Sequence, residues 1–186
     1  MAGFLPSERV TVRGEIELFG RRVTGASPMK MHRTGVAFVP ERDKIFPSMK
    51  VADHLRLVSD GRGAAETGLT FAAIERRMSS RAGMLSGGER QMLALAVAAR
   101  QSPRLLLVDE LSLGLAPVIV KDLMVSLRRL TDTTGVPVIL VEQDAAAALR
   151  IADRAYVMDR GQMVWQGTGA ETDPAEISAR YLGVTR

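Results

Sequence analysis

Cysteine is absent from the 186 residues, which excludes disulfides and thiolate metal sites and fits a cytosolic protein. Aromatic residues are only 4% of the chain, too few for a platform on which nucleic-acid bases could stack. No apolar run approaches the length of a membrane helix. The first residues, MAGFLPSER, lack a basic region followed by a long apolar one, so nothing there argues for export. Lysine is scarce: Lys30, Lys44, Lys50 and Lys121 are the full set. The net charge of +4 and pI near 9.9 come from arginines scattered among acids. That pattern reads as a solvated surface, not as a basic block for nucleic acid, so no nucleic-acid partner is expected.

What is present is an apolar content of 46% over a length sufficient for one domain with its own core. The chain is organised around residues 85–110, LSGGERQMLALAVAARQSPRLLLVDE. Ser86 and Glu89 have the S-x-x-E spacing of a capping box, in which each side chain satisfies an orphan N–H at a helix start. Gly87 and Gly88 lie inside the box and have no Cβ, so a ligand can approach the N–H groups and the positive end of the helix dipole. Together these features suit an anion such as phosphate. Met92, Leu93, Leu95, Ala96 and Ala99 then form an apolar stripe near the helical period. Pro103 stops the helix, and residues 105–108 read as a buried parallel strand. Asp109 and Glu110 follow its carboxyl end, where open α/β sheets bind ligands.

In this order and spacing, the stretch resembles the signature motif, helix and following acidic strand of the ABC-type ATPases. The resemblance implies a P-loop NTPase-like α/β fold: a mostly parallel sheet with a small helical subdomain near residues 48–90, all within one domain. It also implies ATP and Mg²⁺ as ligands. Leu85, Ser86, Gly87, Gly88 and Glu89 would form the signature turn, with Ser86 and the glycines touching the γ-phosphate of an ATP held by an opposing subunit. Asp109 would hold Mg²⁺ through water, and Glu110 would polarise the attacking water.

The other segments extend the resemblance. Residues 14–19 alternate like a half-buried strand ended by Gly20, and a short helix or turn is expected around residues 28–32. Residues 35–39 form the next buried strand, closed by Pro40 and Glu41. Glu41 stands where most ABC ATPases have Gln. There it would reach the Mg²⁺ or the water, with Ile45, Phe46 and Pro47 facing a membrane subunit. Residues 51–58 and 71–78 read as helices separated by a glycine-rich linker at 60–68. His32 and His54 read as ordinary packing or surface residues.

Leu111 replaces the proline usual after the Asp-Glu pair, which leaves the backbone beside Glu110 freer. Pro117 suits a helix start, residues 118–130 are helical in period, and residues 136–141 read as another buried strand. Gln143 occupies the place of a γ-phosphate-contacting His; it donates a hydrogen bond but carries no charge. Residues 155–158 and 162–166 read as a hairpin turned at Asp159, Arg160 and Gly161, with Tyr156 and Trp165 as sheet-face packing. Val-Pro-Glu41 and Val-Glu-Gln143 are similar to the importers of branched-chain amino acids.

None of the four lysines follows a glycine, so G-x-x-x-x-G-K-[ST], the Walker A loop that cradles phosphates, does not occur. The resemblance starts just downstream of that loop, and the expectation is a cassette that is truncated at its N-terminus or whose start is placed too late, inactive alone as given. The implied function is the ATP-hydrolysing subunit of an importer, paired with a homologous subunit and membrane permeases, and peripheral on the cytoplasmic face. The alternative is a degenerate partner that donates LSGGE to an intact ATPase. An ATPase of DNA repair or chromosome architecture is disfavoured, because the linker is short where that class has long coiled coils.

Overall fold

A computed structural model describes residues 13–42, 45–58, 69, 71–169, 172–175 and 177. Strand β3 (Val36–Val39) pairs in parallel with β4 (Leu105–Asp109), and β4 pairs in parallel with β5 (Val138–Val141). Val39 lies opposite Val108 and Asp109 opposite Val141, so the three strands end together. Before this sheet come a short hairpin, β1 (Glu17–Leu18) with β2 (Arg21–Arg22), and helix α1 (Pro28–Arg33). Ser27 caps α1 by accepting from the Lys30 N–H.

Between β3 and β4 the chain makes α2 (Val51–Leu57), α3 (Ala72–Glu75), a 3-10 turn (Ala82–Met84) and α4 (Gly87–Arg100). Helix α5 (Pro117–Thr134) returns the chain from β4 to β5. Gly135 ends it at φ 69°, where glycine carries no steric penalty, and its N–H closes on the Thr131 carbonyl. Helix α6 (Ala145–Leu149) leads to a hairpin of β6 (Arg154–Asp159) and β7 (Gln162–Thr168). Arg160 and Gly161 both have positive φ in the turn, the mirror-image geometry that matches strand twist.

The core lies between α4, α5 and the sheet. Leu93, Leu95, Leu106, Leu111, Leu123 and Leu127 are all but inaccessible, each side chain contributing about 1.5–3 kcal/mol of burial. The single stripe expected for α4 is too narrow a description. Ala94 and Ala98 are buried as well as Met92, Leu93, Leu95, Ala96 and Ala99, so the helix is enclosed on most sides. The same cluster takes in Val51, Leu55, Leu69, Phe71, Ile74, Ala82 and Leu85. Segments 48–58 and 71–90 are further tied together by Val51 N–H to Ser80 O and Ala82 N–H to Met49 O.

Several elements differ from expectation. The strand of residues 14–19 pairs only at Glu17 and Leu18, and β2 was not foreseen. Helix 71–78 contracts to α3, and the glycine-rich linker lies outside the described residues. The all-apolar run ending at Val141 is half-covered: Val138 and Leu140 pack on the core while Ile139 (44%) and Val141 (56%) are exposed. Among the described residues β5 pairs with β4 alone, and the β6–β7 hairpin forms a separate sheet. Trp165 packs beside Leu149 and Val157, but Tyr156 is exposed with the Arg154 guanidinium 5.4 Å from its ring centre.

Candidate nucleotide site

The turn before α4 is built as the spacing predicts. Ser86 Oγ accepts from the Glu89 N–H at 3.2 Å, and Glu89 Oε2 accepts from the Ser86 N–H at 2.8 Å. Glu89 also pairs with Arg77 at 3.2 Å, and Arg90 donates to the carbonyl of buried Leu85. Leu85 and Glu89 thus both make contacts within the turn. The box engages the N–H groups of Ser86 and Glu89. Those of Gly87 and Gly88 have no hydrogen-bond partner among the described residues. They stand at the positive end of a 14-residue helix, where backbone N–H groups and the dipole favour an anion; Gly87 is half-buried and Gly88 buried. Packing also favours glycine at position 88, where a Cβ would meet Ile119 Cγ2 at 2.7 Å; at Gly87 a Cβ would meet only the tip of Leu115, at 3.3 Å, a contact a small side-chain shift relieves. Sequence reasoning assigned them to ligand approach alone.

The bond from the Ser86 N–H, and behind it Arg77, hold the Glu89 carboxyl below its ordinary range, against the opposing effect of burial. A depressed carboxylate stabilises the folded state above the unfolded pKa and loses that contribution as pH falls through the folded one. Urea midpoints taken from neutral pH down through the acid range should fall more steeply for wild type than for Glu89→Gln. Parallel curves for the two proteins would remove Glu89 from this role.

A second group of candidate residues lies at the carboxyl end of the sheet. Asp109 is the last residue of β4, and Glu110 follows in the left-handed region at φ 45°, its N–H donating to Val141 O at 2.9 Å. Gln143 Nε2 donates to Glu110 Oε1 at 2.8 Å, which joins two residues 33 apart. Glu41, just beyond β3, is engaged differently: its carboxylate pairs with Arg42 at 2.8 Å. No group of three or more His, Asp or Glu is arranged to hold a metal among the described residues. Asp109 and Glu110 are adjacent at the end of the sheet, and one or two carboxylates are what a hydrated Mg²⁺ usually takes from a protein.

His54 is structural, as expected. It is buried; Nε2 accepts from the Phe46 N–H and Nδ1 lies 2.9 Å from Lys50 O, which sets Nδ1 as the protonated nitrogen. Sequence reasoning missed two residues that hold the loop after Glu110. Gln91, buried in α4, donates to Leu111 O at 3.1 Å, and Glu142 accepts from Ser112. The only signal for Gln91 was a polar residue within an apolar helix.

A helix N-terminus with two free N–H groups thus accompanies a Glu–Gln pair at the end of a parallel sheet. The family model described as "ABC transporter" matches residues 4–112. The chain belongs to the ABC transporter family. It is 38% identical over 179 residues to the high-affinity branched-chain amino acid transport ATP-binding protein BraG of Pseudomonas aeruginosa, covering 91% of this chain and 76% of that protein. To the probable branched-chain amino acid transport ATP-binding protein LivF of Archaeoglobus fulgidus it is 32% identical, covering 85% and 70%. Among solved structures, an ATP-binding cassette of an ABC transporter superposes with a TM-score of 0.77 at 20% identity, over 96% of this chain and 77% of that one. The fold is therefore that of the ABC cassettes, and the expected α/β class stands. None of the described helices is long and apolar enough to cross a membrane.

Proposed function

We propose that this protein is an ATP-binding subunit of an ABC importer for branched-chain amino acids, working as a dimer with a homologous subunit beneath membrane permeases on the cytoplasmic face. The observation that carries the reading is the Ser86–Glu89 turn, whose box leaves the Gly87 and Gly88 N–H groups free for a phosphate. In this role Ser86 and both glycines bind the γ-phosphate of a nucleotide held by the opposing subunit. Glu110, aimed by Gln143, orients the attacking water. Asp109 and Glu41 are the carboxylates offered to hydrated Mg²⁺, which when bound supplies charge neutralisation of the triphosphate. The substrate class rests on the similarity to BraG and LivF.

The substrate class is tested by reconstitution into vesicles with the permeases that co-purify with the protein. ATP-driven uptake of labelled leucine, isoleucine or valine is the expected result. Transport of an inorganic ion with none of the three would overturn the assignment.

A further inference from the structure

The end of β5 grips the start of the loop after β4 at three successive residues. Val141 O accepts from the Glu110 N–H at 2.9 Å, and Gln143 Nε2 donates to the Glu110 carboxylate at 2.8 Å. Between them, Glu142 takes both donors of Ser112: Oε1 accepts from the backbone N–H at 2.9 Å and Oε2 from the hydroxyl. Leu111 is fully buried, and its carbonyl is held by Gln91. Glu110 itself sits at φ 45°, a conformation that a non-glycine residue keeps only when its surroundings impose it. No proline fixes the backbone at position 111, so the neighbouring contacts must do so.

We propose that Glu142 is a positioning residue for Glu110: by clasping Ser112 it fixes the loop so that the Glu110 carboxylate keeps one aim. The proposal rests on the reading of Glu110 as the water-orienting residue. Both oxygens of Glu142 are engaged by Ser112, so this carboxylate faces the loop rather than the reacting phosphate. Misplacing a reacting group lowers the rate of the chemical step and leaves ground-state binding alone, which separates positioning from nucleotide contact.

Two measurements test it, on Glu142→Ala, Ser112→Ala, Ser112→Thr and the double alanine variant. Amide exchange of the chain, followed on peptides spanning residues 110–116, should speed up in Glu142→Ala and stay near wild type in Ser112→Thr. In the assembled ATPase, Glu142→Ala should lower kcat roughly 10-fold with the KM for ATP unchanged. Ser112→Ala keeps its backbone N–H, so its loss should be smaller, and the double variant should be no worse than Glu142→Ala. Unchanged exchange, additive losses, or a rise in KM at constant kcat would each overturn the proposal. Glu110→Gln in the same assay keeps the two readings apart. If it stops turnover while Glu142→Ala does not, only the clasp is wrong; if it leaves turnover intact, the role of Glu110 is wrong.

Discussion

Glu110→Gln should slow ATP hydrolysis by roughly 100- to 10,000-fold, the range for removing a group that handles the proton of an attacking nucleophile. The substitution is nearly isosteric, and the Gln143 amide can still donate to the remaining carbonyl oxygen, so the geometry of the pair should survive. What is lost is the negative charge that polarises the water. That charge matters most in the transition state, so nucleotide affinity should be unchanged or improved. The measurement requires a complete site. A chimera that places a G-x-x-x-x-G-K-[ST] segment from a homologous ATP-binding subunit ahead of Met1 provides it. Single-turnover hydrolysis and binding of a fluorescent ATP analogue are compared in the chimera with and without the substitution. Undiminished turnover would show that the water is oriented elsewhere.

Ser86→Arg should abolish whatever stimulation the chain gives to an intact homologous subunit. The free N–H groups of Gly87 and Gly88 are the donors a γ-phosphate would meet, and a long side chain at Ser86 crowds that approach. The same change removes the N-cap, which costs about 1 kcal/mol, so lost activity alone could reflect a weakened helix. Ser86→Asp resolves this. Aspartate caps a helix as well as serine does but places a negative charge against the phosphate. Both variants should therefore fail to stimulate the partner's ATPase, while only Ser86→Arg is measurably less stable. Full stimulation by Ser86→Asp would mean that the turn does not meet a phosphate. Robust hydrolysis by the 186-residue chain alone would overturn the division of the site between two subunits.

The signature turn was legible because its determinants are local. A capping box needs residues three apart, and paired glycines report a backbone that something approaches. Approach by a ligand and approach by Ile119 leave the same mark on the sequence, so packing against α5 could not be read from it. Strand β5 exposes the same limit from another side. Four apolar residues in a row announce a strand with two covered faces, but the covering neighbours are a property of the fold, and here one face stays open. Arg21 and Arg22 gave no strand signal at all; they pair only because the turn at Phe19 and Gly20 lays them against β1.

The sequence by itself determined the capping box of Ser86 and Glu89, the succession of α4 and β4, and the place of Asp109 and Glu110 at the carboxyl end of a buried strand. Each follows from spacing within about a dozen residues, over which local hydrogen bonding and hydrophobic period act. Tertiary structure alone decided which distant side chains meet: Gln143 with Glu110 across 33 residues and Glu142 with Ser112 across 30. Leu111 condenses the difference. Its identity suggested a loosened backbone beside Glu110, yet burial of the side chain and a hydrogen bond from Gln91 hold it in place. A contact of that kind depends on how strands align in register and helices pack across them, and no local pattern records it.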